Sequence, residues 1–529
     1  MNRQIPPYLF PRLHLAWLAA VLVFASTPAL SQDLDAYATR AMKTFDTPGM
    51  AAVVVEGDRA TTHAWGVRRL GDAAPVDAHT IFPIGSNTKA FTAAALAILV
   101  DKGKLQWDDR VADRLPGFRM YDAYASQQMT VTDLLVHRSG LGLGAGDLLW
   151  FPATDRSRAE LVHALRYLKP ATSFRSGYAY DNVLYSAAGE LIGAVSGQRW
   201  EDFVQRHILD VLGMRDTQVS IDARVADQAA LHAKMSGPVR GVGPQSVLTT
   251  VMTGNVIAPA GSLLSSAADM GRWLQAQLKH GGLEDGKRLF SEAASQALWT
   301  PQTLMPINPA PEPLALAQPE FQAYALGLIV RDYRGHKIIT HTGGVLGGVS
   351  VVAIIPEKHA AFAVLVNSED AGTLFAMRNH LLDSVLGLSS PDWIADYKKV
   401  LDEGNAKALQ AMHATKAASH PESGPSLALP GYAGTYNDPW YGHATISVEQ
   451  GALKLSLDRS PGLQGRLEHV QHDTFRTHWS KPGLEDAYVT FALHPDGSIA
   501  QMTMQALSPA ADFSWDYQDL HFTPMAAKP

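Results

Sequence analysis

The sequence predicts an α+β (mixed) fold with an antiparallel sheet and a helical region, followed by an all-β, barrel-like domain. Three observations carry this. Strand-like apolar runs stand at both ends of the first 390 or so residues, with helical patterns between them, so one sheet must be assembled from distant segments. From Tyr432 onward the hydrophobic period drops to two. The chain has 529 residues, 46% of them hydrophobic, which is long enough for several cores.

Met50 to Gly57 reads Met-Ala-Ala-Val-Val-Val-Glu-Gly, a buried strand ending in a turn, with His63 to Val67 as its hairpin partner. A helix is expected from about Ser86 to Asp101, closed by Gly103. Further helices are expected over Val131 to Val136, Glu160 to Leu168, Ser186 to Val195 and Ala267 to Leu278. Strands follow at Tyr324 to Val330, Lys337 to Thr340, Gly348 to Ile355 and Ala361 to Val366, then a closing helix at Met377 to Leu386. A helix around Trp393 to Val400 leads into Lys407 to Leu427, whose Ala, Ser, His and Pro content reads as a linker. Beyond it, Ala444-Thr445-Ile446-Ser447-Val448 and Leu453-Lys454-Leu455-Ser456-Leu457 alternate as half-buried strands do. Tyr488 to Leu493 and Ile499 to Met504 flank His494-Pro495-Asp496-Gly497-Ser498, a hairpin turn. The expected division is a leader over 1–31, a mixed α+β domain over 32–388, a helix and linker over 389–427, and a β-barrel over 428–529.

The leader is read from Arg3 and Arg12, the apolar stretch Leu15 to Ser26, and small residues at Ala29 and Ser31. This is the pattern of a secretory signal peptide, too short to span a bilayer. Cleavage is expected after Ser31, and the location is expected to be secreted or periplasmic. No later stretch reaches about eighteen apolar residues, so no stable membrane span is expected in the mature chain.

Composition narrows the function. The formal charge is −7 and charged residues are 18% of the chain, with no basic block. Nucleic acid is therefore not an expected partner, because phosphate contact needs clustered Lys and Arg. Cysteine is absent, which excludes disulfides and thiolate metal sites. The histidines are scattered and show no zinc-site spacing, so no metal and no cofactor are expected. His137 and His413 read as structural or exposed. Gly140 to Gly146 lacks the Lys-Ser/Thr ending of a phosphate loop and reads as a mobile loop. Trp107, Trp150, Trp200 and Trp273 read as core, with Trp150 placed to wall a cleft.

Three motifs carry chemistry. In Ser86-Asn87-Thr88-Lys89, positions i and i+3 share a helix face, so Lys89 can meet the Ser86 hydroxyl and activate it. Alone, the pair also fits an exposed serine cap beside a solvated lysine. In Tyr180-Asp181-Asn182, residues two apart point the same way on an extended segment. Tyr180 can shuttle a proton and Asn182 can donate to substrate; taken alone, the motif reads first as a turn with a packed aromatic. In His341-Thr342-Gly343-Gly344, glycines on a strand edge let a substrate approach the backbone. The N–H groups of Ser86 and Gly344 could then form an oxyanion hole; a packed or surface histidine is the plain alternative.

In this order the three motifs resemble those of the serine β-lactamase-related superfamily, in its class C β-lactamase and D-Ala-D-Ala carboxypeptidase B branch. Phe82-Pro83-Ile84-Gly85, His137-Arg138-Ser139-Gly140-Leu141, Pro259-Ala260-Gly261-Ser262-Leu263 and Asp269-Met270 agree with it. The β-rich tail resembles the lipocalin-like domain that follows the catalytic domain in some members. The resemblance implies a β-lactamase/transpeptidase-like fold. It also implies Ser86 as acylated nucleophile, Lys89 as its proton-transfer partner, Tyr180 as base, and Asn182 as binder of a substrate amide. His341 stands where lactamases carry a lysine, with Thr342 and Gly343 completing the strand motif. A free histidine titrates near 6.5 and is largely neutral at neutral pH, so recognition of a substrate carboxylate is weakened. The expected function is a secreted serine hydrolase cleaving an ester or amide bond of a small molecule or peptide through a Ser86 acyl-enzyme. The alternatives are a β-lactamase, a D-Ala-D-Ala carboxypeptidase, or a non-catalytic penicillin-recognising protein. Self-association through the C-terminal domain is a further expected partner mode.

Overall fold

The computed structural model describes residues 27–221, 225–237, 239–249, 254–417, 419–420 and 422–526. The charged and apolar parts of the expected leader, up to residue 26, lie outside the described residues.

Eight antiparallel strands form the central sheet: β1 (Gly49–Glu56), β2 (Arg59–Gly66), β3 (Thr303–Leu304), β4 (Gln322–Tyr324), β5 (Ile329–Tyr333), β6 (His336–Val345), β7 (Gly348–Ile355) and β8 (Ala360–Val366). Their spatial order is β2-β1-β8-β7-β6-β5-β4-β3. The first hairpin is thus joined to the last strand, with Met50 opposite Val366. The continuous apolar runs have a physical reason: both faces of the sheet are buried. On β1, Ala51, Val53 and Val55 enter one core, while Met50 and Ala52 enter another.

Helices cover both faces. Helix α1 (Thr27–Phe45) places Leu34, Ala38, Ala41, Met42 and Phe45 as one stripe against the outer face. Helices α5 (Ala371–Leu386) and α6 (Trp393–Ala417) share that face. On the inner side, α2 (Thr88–Asp101) is apolar all round and buried from Thr88 to Leu99, the signature of a central helix. It ends as expected, with Gly103 at φ +64°. Helix α3 (Val183–Ser196) packs beside it, and α4 (Ala267–Leu278) lies across β1, β2 and β8.

Four expectations need correction. Val131 to Val136 is a succession of turns rather than a helix. Buried Asp133 captures the Thr130 amide and hydroxyl, Arg138 and Arg175, and these local bonds replace the helical ladder. The strand expected over Tyr324 to Val330 is broken into a tight hairpin at Ala325–Leu328, where Gly327 adopts φ +75°. Helix α6 runs on to Ala417, through half of the expected linker, carried by the helix formers Ala406, Lys407, Ala408, Leu409 and Gln410. The loop expected to be mobile, Gly140–Gly146, is mostly buried and held from outside itself.

The C-terminal strands close into a barrel: β9 (Gly434–Asp438), β10 (Gly442–Glu449), β11 (Ala452–Leu457), β12 (Gln464–Gln471), β13 (Thr474–Trp479), β14 (Ala487–Leu493), β15 (Ile499–Ala506) and β16 (His521–Pro524). Period two is obeyed: Leu453, Leu455 and Leu457 point in, and Lys454 and Ser456 point out. Tyr432, Tyr436, Phe475 and Phe491 pack together inside. The segment between β15 and β16 leaves the barrel and lies on the catalytic domain, where Trp515 meets Phe151 edge to face at 4.7 Å between ring centroids. Arg459 pairs with Asp155 and Glu160, and Arg240 donates to the Gly483 carbonyl.

Candidate active site

Three elements converge on one cavity of about 1010 Å³. Ser86 sits in a single 3₁₀ turn, Gly85–Asn87, immediately before α2. Lys89 follows in the first turn of α2 and is completely buried. Its ammonium donates to Ser86 Oγ at 3.1 Å, Asn182 Oδ1 at 2.8 Å and the Ala260 carbonyl at 3.1 Å. The ammonium also lies 4.7 Å from the centre of the Tyr180 ring and 5.1 Å from that of Tyr185. Burial lowers the Lys89 pKa to about 7, against the upward pull of Asp147 and Asp181. Lysine is therefore poised to lose and regain a proton near neutral pH.

The Tyr180 hydroxyl faces Ser86, and burial pushes its pKa well above the ordinary tyrosine value. Tyr180 thus holds its proton and is suited to relay one rather than to stand as a phenolate. Asn182, expected to address substrate, is also tied into the protein at both ends of its amide. Its Oδ1 accepts from Lys89, and its Nδ2 donates to Asp147 Oδ2 at 2.9 Å.

The strand edge is brought to the serine by missing side chains. A Cβ on Gly343 would stand 1.8 Å from the Ile84 carbonyl, and one on Gly85, at φ +50°, would stand 2.6 Å from the Gly344 nitrogen. Glycine at both positions lets β6 lie directly on the turn that carries Ser86. Thr342 lines the cavity beside it.

His341 departs from the sequence reading. It is 3% exposed rather than free. Nδ1–H donates to the Thr342 carbonyl at 2.5 Å, which leaves Nε2 to accept the Tyr324 hydroxyl at 2.8 Å. Burial and the nearby Lys89 charge lower its pKa to about 3. The expected titration near 6.5 is therefore removed, and the imidazole stays neutral throughout the working range. His137, also buried, packs with its ring centroid 4.3 Å from those of Tyr180, which it meets tilted, and Tyr324, which it meets edge to face.

Asp147 was missed. It is fully buried and accepts from Trp150 Nε1 at 2.8 Å, Asn182 Nδ2, and Ser514 Oγ at 2.7 Å. The available signal was an acid standing alone before the apolar run Leu148-Leu149-Trp150. Trp150 lines the cavity as expected, and Phe513 and Ser514 line it from the barrel. Among the described residues, no group of three His, Asp or Glu converges to hold a metal ion.

A serine with a buried lysine on its hydroxyl, under a strand edge of an α/antiparallel-β fold, defines the class of serine acyl-transfer hydrolases. Residues 34–387 match the model of the Beta-lactamase family, and the chain belongs to that family. Residues 418–524 match a second model, a domain of unknown function (DUF3471). The chain is similar to Unguisins hydrolase ungD of Aspergillus violaceofuscus (strain CBS 115571), with 28% identity over 505 residues, covering 89% of this chain and 87% of that protein. It is also similar to Penicillin-binding protein 4 of Amycolatopsis lactamdurans, with 29% identity covering 66% and 88%. Among solved structures, the octameric penicillin-binding protein homologue from Pyrococcus abyssi superposes with a TM-score of 0.58 at 20% identity, covering 90% and 98%. The β-lactamase/transpeptidase-like catalytic fold and the all-β, barrel-like domain expected from the sequence are both present, and the barrel has eight strands.

Proposed function

We propose that the protein is an exported serine hydrolase that cleaves an ester or amide bond through a Ser86 acyl-enzyme. The observation that carries this is the Lys89 Nζ–Ser86 Oγ hydrogen bond inside a site where lysine can be neutral near pH 7. Neutral Lys89 takes the Ser86 proton as Oγ attacks the substrate carbonyl. The oxyanion forms toward the N–H groups of Ser86 and Gly344. The proton then passes through the Tyr180 hydroxyl to the leaving nitrogen or oxygen, and that bond breaks. Water enters, gives up its proton by the same route, and releases Ser86.

A neutral His341 offers no charge to a substrate carboxylate, which favours neutral esters or peptides over β-lactams. The hydrolase named for unguisins, matched over 89% of this chain, supports a hydrolytic role. Export rests on the Arg3, Arg12 and Leu15 to Ser26 pattern; amino-terminal sequencing of the protein recovered outside the cytoplasm tests it. Self-association through the barrel belongs to the same reading, with the octameric homologue as support, and light scattering tests it. The activity test is a panel of p-nitrophenyl esters, D-amino-acid amides, cyclic peptides and nitrocefin, run beside labelling by an alkyl fluorophosphonate. Labelling is expected at Ser86 and absent in Ser86→Ala, with turnover reduced by several orders of magnitude. Labelling that survives Ser86→Ala overturns the assignment. Fast nitrocefin turnover at pH 8 returns the enzyme to the β-lactamases proper.

A further inference from the structure

The segment between β15 and β16 makes three separate contacts with the active-site wall. Phe513 meets the Tyr180 ring edge to face, with centroids 6.0 Å apart. Asp516 accepts from the backbone N–H groups of Gly146 and Leu148 at 2.8 and 2.9 Å, on either side of Asp147. Ser514 donates its hydroxyl to Asp147 Oδ2. From that oxygen a continuous chain runs inward: Asp147 to Asn182, Asn182 to Lys89, Lys89 to Ser86. Asp147, Asn182, Lys89 and Ser514 are all buried. A carboxylate is costly to bury, and an apolar pair would fill the same space more cheaply. The chain therefore asks for a reason beyond packing.

We propose that the C-terminal barrel is part of the catalytic apparatus, with Ser514 acting as a positioning residue that holds Asp147, and through it Asn182, against Lys89. This rests on the Ser86–Lys89 reading above. The barrel's hydroxyl donates to the carboxylate and favours its charged form. Burial raises the Asp147 pKa to about 7, against the Ser514, Trp150 and Asn182 donors that lower it. In its charged form the carboxylate accepts from the Asn182 amide, which turns Oδ1 to the lysine, and its field favours the ammonium. Asn182 passes both effects on, because its two amide ends are engaged in opposite senses. The other titratable groups facing Lys89 are Asp181, His137, His341, Tyr180 and Tyr185, and those facing Asp147 are Lys89, Tyr180 and Asp516.

The experiment is the pH dependence of the second-order rate of Ser86 labelling by an alkyl fluorophosphonate, measured on the full chain between pH 5 and 9. This needs no knowledge of the substrate. Asp147→Asn removes a carboxyl that becomes negative beside Lys89 as pH rises through about 7, so the lysine gives up its proton at lower pH. The acidic limb should move down by roughly one pH unit. Ser514→Ala leaves Asp147 with one donor fewer and should move the limb in the same direction by less. The double variant should move no further than Asp147→Asn alone. Ser514→Thr keeps the hydroxyl and should restore the wild-type limb. A merely structural role would lower the melting temperature or the amplitude and leave the limb in place. An unmoved or upward-moving limb, with Ser86 still labelled, overturns the inference alone. Absence of labelling in the wild type overturns the functional reading beneath it. Should Asp147→Asn fail to fold, the Ser514→Ala and Ser514→Thr pair decides the matter.

Discussion

At the residue scale, the nucleophile and its base were legible because they are local. Ser86 and Lys89 stand at i and i+3 at a helix start, and that spacing by itself brings a lysine to a hydroxyl. Tyr180→Phe keeps the ring that packs on His137 and Phe513 and removes only the hydroxyl. Turnover should fall by orders of magnitude with a melting temperature within a few degrees of wild type; an active variant would make Lys89 the whole proton path. His341 shows the limit of residue-level reasoning. Its identity was legible, but its titration was not, because burial and Lys89 decide it. The sign of the consequence follows. A histidine whose folded pKa lies below its unfolded value stabilises the fold above pH 6.5, and loses that contribution as pH falls toward about 3. His341→Gln can still accept the Tyr324 hydroxyl without titrating. Its melting temperature should therefore fall less steeply than wild type between pH 6.5 and 4; parallel curves would show that His341 does not titrate there on unfolding.

At the scale of elements, the active site depends on β6 lying flush on the turn before α2. Gly343→Ala drives a methyl into the Ile84 carbonyl. The expected result is a loss of about 3 kcal/mol in stability together with loss of Ser86 labelling, measured by denaturant unfolding and by the fluorophosphonate. Retention of labelling at the wild-type rate would mean that the strand edge does not form the oxyanion site. The glycines were readable as a place of close approach, but what they approach was not, since residues 84 and 343 are distant in the chain. The same distinction explains the broken strand at 325–328. Gly327 sits where a Cβ would be 2.6 Å from the Lys89 carbonyl, so α2 imposes the turn from outside. Helix α4 was predicted to the residue because its signals are internal, with the Ser266 hydroxyl accepting from the Asp269 amide as cap.

At the scale of the whole molecule, the sequence divides off a β-barrel domain over 428–529, and in the structure the segment between its last two strands is also a wall of the active site. Deleting residues 425–529 removes Ser514 from Asp147, Asp516 from Gly146 and Leu148, and Trp515 from Phe151. The truncated protein should label at Ser86 far more slowly than the full chain and melt at a lower temperature. Labelling at an unchanged rate would show that the barrel is dispensable to the chemistry. What the sequence alone determined is therefore the α+β class, the period-two tail, and the three motifs. Each is written in neighbouring residues whose spacing and hydrophobic period act locally. What the tertiary structure decided is the depressed His341, the pinned Gly140–Gly146 segment, and the link from Ser514 through Asp147 to Lys89. Those depend on burial and on contacts between residues hundreds of positions apart. Neither desolvation nor a hydrogen bond across that distance has any period a sequence can display.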